Sequence, residues 1–363
     1  MKYLKDLEKI ININSYTKNK KGVDSVALVM STWLKELGFK ETIYKRVNIG
    51  NHQLFTTKRK EKLKNILLLG HNDTVFPPET FEGFSEDKDW VYGPGVCDMK
   101  GGNIVAVQSL RNIYEKNSEI TNIDFLIVSD EESGSDDSKH LTLDIAKNYD
   151  YCFVFEAAGS NLEVVTGRKG VGTFTISIEG VPSHAGTSYL KGVDANLEAS
   201  YKLQELSKLT DLDLGTTVNV GKITGGIGAN TISPKCEMLL EIRYTTNQER
   251  DRLLSSLNKI TNTSYIKGTT STLNGLIQRD VMESNENQAI LIKEIEEITK
   301  TIILTEKRGG VSDANHVSSC GVTTIDGFGP FGDGDHTKKE RALKETFKQR
   351  IDLMSSILKY FQN

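Results

Sequence analysis

Apolar residues near the start of the chain, Leu4, Leu7, Ile10 and Ile11, recur at the spacing of an amphipathic helix, without the unbroken apolar core of a secretory signal. Beyond them, helical and strand patterns alternate. Gly22 to Leu37 reads as a helix ended by Gly38, "KNILLLG" as a buried strand, "GGNIVAVQSLRNIYEK" as a helix, and "IDFLIVS" and "DYCFVFE" as two further buried strands. Short apolar strands alternating with helices predict an α/β domain whose sheet is covered on both faces, with functional residues at the carboxyl ends of its strands.

From about Gly170 the texture changes. "VGTFTISIEG" alternates with period 2, a helical stretch runs from Asp194 to Lys208, "TTVNVGKITGG" and "CEMLLEIRY" follow as strands, and Asn247 to Lys259 is a last amphipathic segment. Strand, helix, strand, strand, helix predicts an α+β module with an antiparallel sheet. After about Leu276 the pattern returns to helix ("NQAILIKEIEEITK"), strand ("TIILTEK"), a glycine-rich turn, a short strand and a final helix. The chain therefore divides into a discontinuous domain, 1–167 and 277–363, and an insert, 168–276.

A length of 363 residues with 37% hydrophobic and 26% charged residues supports two ordinary globular domains. The formal net charge of -4 and the short, interrupted basic runs "KNKK" and "KRKEKLK" give no nucleic-acid footprint, and no span approaches membrane length. Cys97, Cys152, Cys236 and Cys320 lie far apart with no CxxC pair, which points to a reduced, cytoplasmic protein without a zinc knuckle or disulfide framework.

The candidate chemistry lies where the buried strands end. "NILLLG" runs into His71 and Asp73, "IDFLIVS" into Asp130, Glu131 and Glu132, and "YCFVF" into Glu156. Asp98 stands in the glycine-rich "VYGPGVCDMKGG", and His336 in "FGPFGDGDHT". Each alone is explained by a helix cap or a surface hydrogen bond. Together they place three adjacent carboxylates beside two imidazoles, and such crowding of like charge calls for a positive partner. Imidazole and carboxylate without thiolate suit zinc or another divalent first-row ion.

The motifs "HNDTV", "GPGVCDMKGG", "DEESGS", "FEAAG", "GRKGVG", "GVPSHAG", "GANTISP", "RGGVSDAN" and "DGFGPFGDGDHTKKE" resemble, in order, those of the zinc-dependent M20 metallopeptidases, especially the glutamate carboxypeptidase branch. The resemblance implies a zinc-peptidase-like catalytic domain with a mixed, mostly parallel sheet, and a ferredoxin-like insert serving as lid and dimerisation domain. It implies two zinc ions per chain, with Co2+ or Mn2+ as alternatives. Asp98 would bridge them, His71 and Glu156 would bind one, and Glu132 and His336 the other. Ions roughly 3.5 to 4 Å apart need an anionic bridge and jointly acidify a shared water. Glu131 is then the general base, Asp73 the residue orienting His71, and the Asp98–Met99 peptide bond is expected to be cis. Asp130 has no implied role and is read as a cap or turn residue.

In the insert, the resemblance assigns His184 of "SHAG" to the oxyanion, reaching the active site of the partner in a homodimer. Arg243, Arg308 and Asn230 resemble residues that grip the substrate, the two arginines through its carboxylate. Ala157 and Ser233 depart from the family pattern close to the expected pocket. The expected substrate is a small peptide cleaved at its C-terminal amino acid, or an N-acyl amino acid deacylated by the same chemistry. A silent binding protein on this scaffold would be expected to lack a ligand or the base, and all six are present.

Overall fold

The structure, a computed structural model, describes residues 2–362. They fall into two compact units, one of Met1–Gly167, Ser284–Arg308 and Ser312–Asn363, the other of Arg168–Glu283 with Gly309–Val311. The strand Thr270–Arg279 runs through the boundary expected at Leu276, so the second unit extends seven residues further.

The first unit is built on a six-stranded sheet in the order Lys40–Tyr44, His52–Thr56, Ile123–Val128, Ile66–His71, Tyr151–Val154, Thr323–Ile325. The first two pairings are antiparallel and the last three parallel. Every side chain of Ile66–His71 and Ile123–Val128 is buried, the signature of strands covered on both faces. The core joins Leu68, Phe125 and Phe153 of the sheet to residues of the helices Lys2–Ile11, Lys20–Glu36, Lys100–Asn117, Glu286–Thr299 and Lys344–Phe361.

Register sets where the chain leaves the sheet. His71 lies opposite Val128, and Leu69 opposite Val154, so Ile66–His71 and Ile123–Val128 end level and Tyr151–Val154 ends two positions short of them. Asn72 N donates to Val128 O and Phe155 N to Leu69 O, carrying the ladder one step past the strands. A smaller sheet brings Ser85–Glu86 and Trp90–Tyr92 against Arg341–Leu343 and Gly332–Asp333.

Two expectations shift. The run "TIILTEK" forms a strand only over Thr305–Arg308, paired with Val164–Arg168, while Ile302 stands 80% exposed before it. The pair Lys40–Tyr44 and His52–Thr56 carries no clean apolar alternation and is not predicted, yet it closes one edge of the main sheet.

The second unit is a βαββαβ module with strands Gly170–Glu179, Thr217–Gly225, Lys235–Tyr244 and Thr270–Arg279 and helices Ala195–Ser207 and Asn247–Asn262. The sheet order, second, third, first, fourth, with all pairs antiparallel, is ferredoxin-like. Phe174, Ile176, Ile178, Met238, Leu240 and Ile242 fill one face, as the period-2 pattern requires. The fourth strand escapes sequence reasoning because it is a mostly exposed edge, "TSTLNGLIQR", with little apolar alternation. Buried Lys202 pairs with buried Glu198 and donates to Ile260 O, Thr261 O and Thr263 O, closing the end of Asn247–Asn262. Among the described residues no helix is long and apolar enough to cross a membrane.

The glycines of "DMKGG" have a packing reason. A Cβ on Gly101 would lie 2.0 Å from Val96 O, and one on Gly102 1.8 Å from Phe155 O, so only glycine lets Lys100–Asn117 start this close to the chain carrying Glu156. Gly102→Ala is expected to destabilise the protein by about 1–3 kcal/mol through overpacking, read as a lower urea midpoint with unchanged slope.

Candidate metal centre

The strand ends deliver side chains to one place. His71 closes its strand, with Asp73 two residues on. Glu131 and Glu132 form a short 3-10 turn soon after Val128, and Glu156 follows Val154 by two residues. Asp98 comes from the loop before Lys100–Asn117, and the Asp98–Met99 peptide bond is cis, as the resemblance implies. His336 comes from the turn between Gly332–Asp333 and Arg341–Leu343 and holds a left-handed φ of 60°.

Asp98 stands in the middle. Its Oδ1 is 3.3 Å from His71 Nε2, and its Oδ2 is 3.1 Å from His336 Nε2. His71 Nε2 lies 3.7 Å from Glu156 Oε1, and His336 Nε2 lies 3.1 Å from Glu132 Oε2. Each oxygen of Asp98 thus faces its own pair of one imidazole and one carboxylate. His71, Asp98 and Glu132 offer ligand atoms all within 4.8 Å of one another, a spacing that can hold a metal ion. The donors are nitrogen and oxygen, which fits a divalent first-row cation. The nearby thiol of Cys97 is turned away, donating to Asp335 Oδ1 at 2.9 Å.

Electrostatics gives the same answer. Burial and then the charge of Asp98 push both Glu132 and Glu156 well above the usual carboxylate range, and the charge of Glu131 adds to both. Burial works in the same direction on Asp98, but hydrogen bonds with His336 and His71 hold it below its ordinary value. His71 is raised despite burial, through Asp73 and Asp98; His336 is pushed up to about 11 by Asp98 and Glu132. Carboxylates that resist charging beside imidazoles that hold their protons describe a cluster short of positive charge.

A family model for peptidase family M20/M25/M40 matches residues 67–360. The chain belongs to that family. Carboxypeptidase G2 from Pseudomonas sp. (strain RS-16) is 28% identical over 346 residues, 93% of this chain and 83% of the relative. Acetylornithine deacetylase from Vibrio parahaemolyticus is 27% identical over 234 residues, 59% of each protein. In fold, the chain resembles the aminopeptidase PepT from Bacillus cereus, with a TM-score of 0.84 at 20% identity over 99% of this chain and 98% of that one.

Within this M20 peptidase the supporting groups are well defined. The Nδ1 of His71 is 3.0 Å from the backbone carbonyl of Asp73, its hydrogen-bond partner, and the carboxylate Oδ1 of Asp73 lies 3.3 Å away as a neighbouring charge. The other oxygen of Asp73 accepts from Thr17 Oγ1 at 2.6 Å and from Glu132 N at 3.2 Å. Asp73 therefore ties His71 to Glu132. Asn103 Nδ2 donates to His71 O at 2.7 Å, and the buried carboxylate of Glu340 accepts from the loop of Asp98. Thr17, Asn103 and Glu340 were not singled out from sequence. Only Glu340 carried a signal, the last residue of "DHTKKE". Asp130 accepts from Asp137 N and Ser138 N at the start of Ser138–Ala146, a capping role reached across a loop.

His184, Asn230 and Arg243 belong to the second unit. His184 Nδ1 accepts from Gly186 N at 3.0 Å and Thr187 N at 3.2 Å, which assigns the proton of the neutral ring to Nε2 and leaves that atom as a donor. Ala185 N donates to Asn230 O, so His184 and Asn230 lie on adjoining strands of chain. Arg243 is already paired with Glu241 at 2.7 Å and donates to Gly309 O. In the first unit, Arg308 pairs with Glu306 at 2.6 Å and donates to the carbonyl of Ala157, next to Glu156. Ser233 is buried and donates its hydroxyl to Asn196 Oδ1 and Lys235 O.

Asp73→Asn keeps the size of the side chain but removes the charge that holds Thr17, Glu132 N and the His71 ring together. It is expected to weaken metal binding about 10- to 100-fold, measured by titrating metal-depleted protein against a chelating dye.

Proposed function

We propose that this M20 peptidase is a two-cation, carboxypeptidase-like amidohydrolase of the cytoplasm that releases a C-terminal amino acid from a small peptide or related amide. One observation carries the reading: the two oxygens of Asp98 face two separate imidazole–carboxylate pairs, His71 with Glu156 and His336 with Glu132. Zinc is the expected metal, with Co2+ or Mn2+ suited to the same donors. Bound at these pairs, two cations supply Lewis acidity to the scissile carbonyl and to the attacking water. Glu131 takes the water proton and returns it to the leaving nitrogen. The Nε2–H of His184 donates to the carbonyl oxygen as negative charge develops on it. Arg308 and Arg243, sharing their guanidinium groups with Glu306 and Glu241, are the residues proposed to receive the substrate carboxylate, and Asn230 is proposed as the lid residue beside the site.

Likeness to carboxypeptidase G2 over nearly the whole chain supports cleavage at a C-terminal residue. The shorter match to acetylornithine deacetylase favours a second reading, removal of an acyl group from an N-acyl amino acid. A panel of dipeptides, N-acyl-glutamate and acetylornithine separates them. Turnover confined to acetylornithine overturns the carboxypeptidase reading.

Glu131→Gln is expected to lose about 10²- to 10⁴-fold in kcat while retaining metal, whereas Glu132→Gln weakens metal binding and Asp98→Ala loses both ions. Metal content beside single-turnover rates checks this. Equal behaviour of the two glutamate variants reverses their assignment.

The second unit is proposed to form a homodimer. Its edge strand Thr217–Gly225 is mostly exposed, with Ile223 47% and, just beyond, Ile227 73% accessible, an edge that a partner would cover. If His184 acts across that interface, mixing inactive His184→Ala and Glu131→Gln chains restores up to half of normal activity per heterodimer. No recovery despite demonstrated subunit exchange removes the trans role.

A further inference from the structure

Asp98 and His336 are 238 residues apart, yet the proposed centre needs them at a fixed separation. The strands Trp90–Tyr92 and Arg341–Leu343 pair nearby, and one buried carboxylate joins the two segments directly at the loop of Asp98. Glu340 is 1% exposed and has no cationic partner among the ion pairs of the described residues. Its Oε2 accepts from Gly95 N at 3.0 Å, and its Oε1 accepts from Cys97 N at 3.0 Å and Asp98 N at 3.1 Å. Its backbone joins in: Glu340 O accepts from Gly93 N, and Glu340 N donates to Thr337 O within the turn that carries His336. Cys97 Sγ adds a second stitch to Asp335 Oδ1.

We infer that Glu340 is a positioning residue for the metal centre, fixing Asp98 and His336 relative to each other by gathering the backbone N–H groups of one segment onto a carboxylate rooted in the other. The inference rests on the two-cation reading. Its physics is that of an anion nest: successive N–H groups converge on one acceptor and lock the path of the loop. Substituting glutamine shows how specific the demand is. The three donors occupy both oxygens of the carboxylate, and glutamine offers only one oxygen. Whichever way its amide turns, the NH2 group meets at least one backbone N–H head-on, so the loop must shift where Asp98 leaves it.

Glu340→Gln is therefore expected to bind at least one of the two ions about 10- to 100-fold more weakly than the unaltered protein, the range typical of groups that orient ligands. The measurement is a Zn2+ titration of metal-depleted protein in competition with a chelating dye, with Co2+ absorption reporting coordination. The melting temperature of the metal-free protein is recorded alongside. A purely structural role would lower that temperature and leave the affinities of the folded protein unchanged, which overturns the inference. If Glu340→Gln does not fold, Glu340→Asp, which keeps the charge but withdraws it by one methylene, is titrated with the same expectation. Unaltered protein that binds no ion brings down the two-cation reading itself. Unaltered protein that binds two ions, with a folded Glu340 variant binding them equally tightly, brings down only the role of Glu340.

Discussion

The first unit is organised around one electrostatic demand: several carboxylates, largely removed from water, converge on Asp98 with only two imidazoles among them. Desolvation and mutual repulsion are visible in the raised Glu132 and Glu156, and the pull of the surrounding carboxylates in the raised His71 and His336, which rise against the effect of burial. Such a cluster needs neighbours that hold it by hydrogen bonds, and it leaves room for a cation to balance its charge. Much of the surrounding detail answers that need. Asp73, Thr17, Asn103 and Glu340 each spend their polar atoms on fixing a ligand or its backbone.

Legibility in the sequence followed how local each signal was. His71, Glu132 and Glu156 could be found because each follows a continuous apolar run, and buried parallel strands announce themselves in that way. Asp98 and His336 were marked by glycine-rich turns. By contrast, Thr17 is a threonine in an ordinary polar stretch, and its meaning comes only from the 2.6 Å bond to Asp73, 56 residues away. Asn103 sits inside a helix where nothing in the pattern marks it. Glu340 lay within a quoted motif, yet its role depends on three N–H groups more than 240 residues distant.

Edges were the other blind spot. Lys40–Tyr44 and Thr270–Arg279 are strands whose pairing is supplied by a neighbour, and their side chains face water often enough to blur the alternation. The arginines show a complementary limit. Beside the anion binding that their type suggested, Arg243 and Arg308 each hold a glutamate two residues back, a partner that the words "EIR" and "EKR" displayed without announcing.

The alignment of His71 with Val128 has a consequence for how such a protein can vary over time. Because side chains alternate across a strand, inserting one residue within Ile66–Leu69 would either turn His71 to the opposite face or carry it past the end of Ile123–Val128. The loop from Pro77 to Thr80, exposed throughout, carries no such condition, since its length does not enter the register. Changes of length away from the parallel strands thus leave the alignment of the centre intact, while one residue gained or lost inside Ile66–His71 would take His71 out of it.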